Sequence, residues 1–247
     1  LADSGLITSA ELELSKQKTP YSCEFDRLRE ERVQLLITAS QRVDASLKNK
    51  IDEFIDSNKH LSDFCKFMAL KKANNDVEWT QWQSEDYDEK VEFGWRFIQY
   101  EFFRQWKEIK DYANNKGIKI IGDIPIYVSF DSSDVYFNKS LFLMDDNNRL
   151  TDVAGVPPDY FAEDGQLWGN PLYDWAAMEK EDFLWWKDRI SASLQLFDGV
   201  RIDHFRAFES FWAVPGTEKT ARNGKWVKGP GMKLINAIKR LELTAHL

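Results

Sequence analysis

The sequence predicts an α/β fold in which a mainly helical first part leads into a piece of a parallel (β/α)8 barrel. Three observations predict it. Apolar residues recur at helical spacing over the first half of the chain. Two short apolar runs, Ile118 to Val128 and Leu196 to Ile202, each follow a helical pattern. Both runs carry a carboxylate where the strand should emerge, Asp123 and Asp203. Helix-to-strand alternation is the signature of α/β winding, and a parallel barrel keeps its chemistry at the C-terminal ends of its strands. Only two strands of this character stand in the chain, whereas a closed barrel needs eight, so the barrel is expected to be incomplete here.

The elements follow in order. From Phe25 to about Leu70, apolar residues at helical spacing (Val33, Leu36, Ile37, Val43, Leu47, Ile51, Phe54, Ile55, then Leu61, Phe64, Cys65, Met68) predict two or three amphipathic helices. A Trp-rich polar connection, Glu78 to Asp88, leads to a further helix with Val91, Trp95, Ile98, Phe102, Trp106 and Ile109 on one stripe, closed by Asn114-Asn115-Lys116-Gly117 with Gly117 at C′. Residues 1–115 therefore read as a helical subdomain and 116–247 as the barrel segment. In the first strand, Gly122-Asp123 and Pro125 interrupt a β-branched run, as expected where a buried strand ends and turns outward. Residues 130–175 read as an irregular insertion over the barrel mouth. Within it, Asp145-Asp146-Asn147-Asn148 between Leu141-Phe142-Leu143 and Leu150 predicts a small hairpin, and the Pro- and Gly-bearing stretch Pro157 to Pro171 predicts a loop rich in aromatics. A helix from about Met178 to Leu194, with Trp186, Ile190 and Leu194 inward, delivers the chain to the second strand.

Composition narrows the function. A formal charge of −8 and a pI near 5.1, without a basic stripe, disfavour nucleic acid and anionic membrane as partners. Cys23 and Cys65 lack any Cys-x-x-Cys or Cys/His spacing, which predicts a reducing compartment and no structural zinc. No apolar run reaches the length of a membrane span, and Leu1-Ala2-Asp3-Ser4-Gly5 does not read as a signal peptide, so the expected location is cytoplasmic. No Gly-x-Gly-x-x-Gly follows a strand, which removes a nucleotide-binding oxidoreductase. Aromatics make up 14% of the residues, ten of them Trp, as suits a thick core or a surface that stacks on flat ligands.

Asp123 and Asp203 at neighbouring strand ends would bring two carboxylates to one mouth, the minimum apparatus for glycosidic bond chemistry. Arg201 falls on the same side of its strand as Asp203 by the period of two, and its cation is expected to hold Asp203 ionised, as a nucleophile requires. A structural ion pair capping the strand end is the alternative reading of the same spacing. His204 stands open between a substrate hydrogen-bond donor, a metal ligand and an ordinary satisfied histidine, and with three His in the chain no metal is assigned. Asp159, Tyr160, Phe161, Gln166 and Trp168 mix flat apolar faces with polar groups, which suits a sugar; a loop pinned by its own aromatics is the alternative.

Five strings then matter together: Gly122-Asp123-Ile124-Pro125-Ile126-Tyr127-Val128, Val153 to Phe161, Gly165 to Tyr173, Val200-Arg201-Ile202-Asp203-His204-Phe205-Arg206, and Trp226 to Gly231. In this order they resemble the 4-α-glucanotransferases called amylomaltases or disproportionating enzymes, of the α-amylase-like barrel clan. The resemblance is dense from about Lys116 to Lys239. It implies barrel strands of about third and fourth position, and transfer of α-1,4-glucan segments between maltooligosaccharides, with retention through a covalent glycosyl-enzyme. By the same resemblance Asp203 is the nucleophile, Arg201 the arginine beside it, and Asp123 a sugar contact near the cleavage point. Asp159, Tyr160, Phe161, Gln166 and Trp168 match a mobile loop over the donor and acceptor subsites, and no cofactor or metal is implied. Ala207 stands where the family has Gly. The Ala-Glu-Asp-Leu-Gly type motif that carries the general acid is not reached before Leu247. The chain is therefore expected to be a fragment lacking that acid, prone to self-association of its incomplete barrel. The alternative function is a non-catalytic glucan-binding or partner-binding module.

Overall fold

The computed structural model describes residues 1–17 and 19–241. It forms two compact units, Leu1–Gln105 and Trp106–Leu247, and one long helix begins in the first and ends in the second.

The first unit is helical. Its opening helix, α1 (Ser9–Ser15), starts at a capping box in which Thr8 accepts from the Glu11 amide and the Glu11 carboxylate accepts from the Thr8 amide. Arg42 grips that carboxylate with both guanidinium ends, each at 2.7 Å, and also donates to the Leu6 carbonyl. The bonds from Arg42, followed by those from Thr8, pull the Glu11 carboxyl down to about 2. Next, α2 (Phe25–Arg27) runs through a π-helical turn, Leu28–Arg32, into α3 (Val33–Ser40). The Asp44 carboxylate caps α4 (Ala45–Asp56) by accepting from the Leu47 amide at 2.8 Å, and α5 (Lys59–Ala73) follows. Leu6, Ala39, Ile51, Ile55, Leu61 and Phe97 form one core cluster. The Cys65 thiol is buried, which pushes it up to about 12.

The long helix α6 (Glu89–Asn115) departs from its predicted stripe. It buries Gly94, Phe97 and Glu101, while Phe102 and Ile109 are exposed. The cause is a close crossing: a Cβ at Gly94 would lie 2.7 Å from Cγ1 of Ile37, so the face without a side chain is the one that seats α3. Val91, Trp95, Ile98 and Trp106 of the predicted stripe are half-buried.

In the second unit α6 ends as predicted at Gly117, where the Gly117 amide reaches the Asn114 carbonyl (2.9 Å) and the Ile118 amide the Ala113 carbonyl (3.0 Å). The first strand, β1 (Ile121–Ile124), pairs in parallel with a strand much later in the chain, Gly199–Ile202, placing Ile121 opposite Gly199, Asp123 opposite Arg201 and Ile124 opposite Ile202. The Asp198 carboxylate fastens the start of this ladder, accepting from the Ile120 amide and the Asn114 carboxamide, both at 2.8 Å. Gly122 and Ile124 are buried, whereas Ile121, Asp123 and Arg201 are exposed on the other face. After α7 (Ser133–Phe137), the predicted hairpin is present as a bridge between Met144 and Leu150.

The stretch expected to be a loop is partly a strand. Gln166–Pro171 forms β3, paired antiparallel with β2 (Asp152–Val156) across a bulge between Val153 and Gly155. The bulge lets a segment containing Gly169 and Pro171 join the ladder despite its breakers. The single helix expected at Met178 to Leu194 is two, α8 (Trp175–Lys180) and α9 (Leu184–Leu196), because Asp182 and Phe183 take left-handed φ values of 50° and 55° and the Phe183 ring turns into the core. Trp186 and Ile190 are buried on α9 as predicted. The later strand is β4 (Gly199–Ile202), and two unpredicted strands, β5 (Ser210–Pro215) and β6 (Lys225–Lys228), complete an antiparallel sheet in the order β3-β2-β5-β6. The last helix is α10 (Met232–Lys239). Among the described residues the fold is α/β and no barrel closes. No helix in them is long and apolar enough to cross a membrane.

The chain leaving β1 is held by a latch of side chains. The Tyr173 hydroxyl donates to the Ile126 carbonyl at 2.6 Å, and Arg189 donates to the carbonyls of Pro125 (2.6 Å) and Ile126 (3.1 Å). The Arg189 guanidinium lies over the rings of Trp186 and Trp185, 5.0 and 5.4 Å from their centroids.

Two consequences are measurable. Because folding depresses the Glu11 carboxyl to about 2 from 4.5, its contribution to stability is present above pH 4.5 and is lost as pH falls toward 2. The gap in urea midpoint between the unaltered protein and Glu11→Gln should be widest above pH 5 and close by pH 2. Tyr173→Phe, which removes one bond to a carbonyl that Arg189 still serves, should cost about 1 kcal/mol in chemical denaturation.

Candidate active site

The site is assembled at the C-terminal ends of β1 and β4. The Asp203 amide donates to the Ile124 carbonyl at 2.9 Å, which carries the parallel ladder one residue past β4 and sets the Asp203 carboxylate exposed at its rim. His204 then takes a left-handed conformation, φ 51°, which His tolerates better than a β-branched residue. That bend starts the short 3-10 turn Phe205–Phe208. The His204 and Trp168 rings pack edge to face with their centroids 4.9 Å apart. Burial pushes the imidazole pKa down, while the Asp203 charge acts the other way. The Trp168 indole donates to the Gln166 carboxamide oxygen at 3.0 Å, and its ring lies 6.2 Å from that of Tyr127.

Arg201 does not take the partner expected of it. Its guanidinium binds both oxygens of Asp123, Nε to Oδ1 at 3.1 Å and Nη2 to Oδ2. The pair pulls the Asp123 carboxyl below its usual range. Strand geometry explains the correction: residues two apart along a strand are separated by about 6.6 Å, whereas register partners across a ladder lie about 4.8 Å apart. The Asp203 charge still adds to the field that keeps Arg201 protonated. Asp203 is thus left with an exposed carboxylate next to, rather than inside, the Arg201–Asp123 pair.

The structure brings Asp123, Arg201, Asp203, His204, Trp168 and Gln166 into one neighbourhood through these contacts. Tyr160 and Phe161 stand outside it, 99% and 95% exposed, with their rings edge to face at 5.8 Å. Asp159 is engaged inside the same loop, its carboxylate accepting from the amides of Phe161 (2.8 Å) and Ala162 (2.7 Å), an Asx turn that shapes the loop tip. Sequence reasoning missed the latch residues Arg189 and Asn170; the latter donates to the Val128 carbonyl at 2.9 Å. A signal for Arg189 existed, since it stands one helical turn after Trp185 and Trp186 and so shares their face. Among the described residues no group of three or more His, Cys, Asp or Glu side chains could hold a metal ion.

A strand-end aspartate followed by a half-buried histidine that packs on a tryptophan, with a second aspartate charge-paired across the ladder, gathers carboxylates and aromatic rings at one strand end. Comparisons with known proteins bear on this arrangement. The profile of the 4-alpha-glucanotransferase family matches residues 3–246. A 4-alpha-glucanotransferase of Clostridium butyricum is 48% identical over 225 residues, covering 85% of this chain and 46% of that protein. One of Streptococcus pneumoniae is 46% identical over 198 residues, covering 74% of this chain and 39% of its own length. Among solved structures, an amylomaltase from Streptococcus agalactiae in complex with acarbose superposes with a TM-score of 0.90 at 34% identity, over 98% of this chain and 52% of that one. The chain thus spans about half the length of these relatives, and over that span, in sequence and in fold, it belongs to the 4-alpha-glucanotransferase family.

Proposed function

We propose that the protein is a 4-α-glucanotransferase, moving α-1,4-glucan segments between maltooligosaccharides with retention at the anomeric carbon. The observation that carries this reading is the placement of Asp203, anchored through its amide to the Ile124 carbonyl, at the strand end where the family's motif puts its nucleophile. A carboxylate oxygen of Asp203 attacks the anomeric carbon, the bond from that carbon to the leaving O4 breaks, and a proton must reach that oxygen. The acceptor's 4-hydroxyl then attacks the glycosyl-enzyme and passes its proton to the conjugate base left by the acid of the first step, as the bond from the anomeric carbon to Asp203 breaks.

The other residues divide the remaining tasks. Asp123, held as an anion by Arg201, accepts hydrogen bonds from sugar hydroxyls near the cleavage point. Trp168 offers a ring face beside His204 on which a glucose unit stacks, and His204 contributes a hydrogen bond. Tyr160 and Phe161 project from a loop that closes over the glucan and keeps water from replacing the acceptor. Glu163 is occupied by Arg222, and Glu209 accepts from the Ser210 hydroxyl. The reading requires a carboxylic acid to protonate the leaving O4.

Incubation with maltotriose tests the reading: glucose and longer maltodextrins should appear together, and Asp203→Asn should reduce their formation by about three orders of magnitude or more with maltodextrin binding retained. Hydrolysis to glucose without longer products would refute transfer. Binding without any product from the unaltered protein would leave a glucan-binding module. Trp168→Ala should weaken maltoheptaose binding about tenfold, the size of one stacking contact, measured by calorimetry.

A further inference from the structure

We propose that Arg222, in the connection between β5 and β6, is the positioning residue that holds the loop bearing Tyr160 and Phe161 in its working pose. The proposal rests on the glucan-transfer reading only for what that loop covers. The loop, residues 157–165, has two stems of different character. The first is Pro157-Pro158, which has no backbone N–H to donate and is stiff. The second is Glu163-Asp164-Gly165, whose two carboxylates both lead to Arg222 and whose glycine lies against Ala221 and the first stem. Arg222 donates through Nε to Asp164 at 2.6 Å and through Nη2 to Glu163 at 2.7 Å. The neighbouring Ala221 amide donates to the Asp164 carbonyl at 3.0 Å. Gly165, at φ +66°, packs so closely that a Cβ there would stand 2.9 Å from Cβ of Ala221 and 2.4 Å from the Val156 carbonyl oxygen. Between the stems the tip is a self-contained turn: Asp159 accepts from Phe161 and Ala162, and the Gly165 amide returns to the Ala162 carbonyl. The tip turn closes onto the second stem through the bond from Gly165 to Ala162, so what grips that stem sets both how firmly the turn stays closed and where the two rings point.

The grip is itself tied to the nucleophile's turn. The Trp212 indole donates to the Ala221 carbonyl at 2.8 Å, its ring lies 5.3 Å from that of Trp226, and Arg206, three residues after Asp203, lies over Trp226 with its guanidinium carbon 4.0 Å from the ring centroid. Exposed ion pairs are individually weak. Here two of them converge on one guanidinium and act beside a backbone bond and a glycine contact.

The test is amide hydrogen exchange in the protein without glucan. In Arg222→Gln, exchange at Phe161, Ala162, Gly165 and Ala221 should rise about three- to tenfold, the range expected for losing two exposed ion pairs, while Gly122, Ile124 and Asp203 are unchanged. Arg222→Lys, which keeps the charge, should restore part of the protection. Raising salt to about 1 M should speed exchange of the same loop amides in the unaltered protein and not in Arg222→Gln, because salt screens the pairs. Asp164→Asn should reproduce the rise, and combining it with Arg222→Gln should add less than the sum. Unchanged loop exchange in Arg222→Gln overturns the assignment, as does loop protection indifferent to salt. Should Arg222→Gln loosen β1 and β4 as well, the milder Asp164→Asn decides by the same criterion. Protection of the loop by maltoheptaose in the unaltered protein is read separately, so failure of the glucan reading and failure of the Arg222 assignment are told apart.

Discussion

The site depends on the parallel register of β1 and β4. Because Ile124 stands opposite Ile202, the next amide along, that of Asp203, falls on the Ile124 carbonyl, and because Asp123 stands opposite Arg201, their charges meet across the ladder. A slip of one residue would turn Arg201 onto the face that carries Gly122 and Ile124 and remove both relations at once. Asp198 guards against that slip by receiving the Ile120 amide at one end of the ladder, and the Arg189–Tyr173 latch holds the chain as it leaves the other.

This arrangement separates two aspartates that a sequence treats alike. Asp123 is held as an anion by a two-point contact with Arg201. Asp203 has a backbone amide fixed in the ladder and an exposed carboxylate at the rim, as the proposed covalent role would use. The aromatic neighbours are likewise of two kinds: Trp168 is built into a strand and leans on His204, while Tyr160 and Phe161 are carried on a turn whose polar groups are satisfied within itself.

Much of this was legible in the chain because its signals are local. The cap at Gly117, the β-branched run after it, and the carboxylates at two strand ends each need only a few neighbouring residues to be read, and the ordered strings from Gly122 to Gly231 carried the family. What was not legible depends on partners distant in sequence. Arg201 reads naturally with Asp203 until its strand neighbour is known, and then Asp123 is closer. Gln166 to Pro171 contains breakers that argue for a loop, and only pairing with β2 across a bulge makes it a strand. On α6 the apolar stripe from Val91 to Ile109 is real as a pattern, yet the crossing at Gly94 selects a different face. Arg222 carries no motif at all; its significance exists only where the β5–β6 connection meets the loop.

The break between α8 and α9 has a further meaning. Phe183 is buried and left-handed at once, two demands that no single amino acid meets well. Glycine would relieve the backbone but leave a void, and a β-branched side chain would fill space at a φ it resists. Position 183 is thus a point of local frustration, set at the turn that starts the helix carrying Trp186 and Arg189.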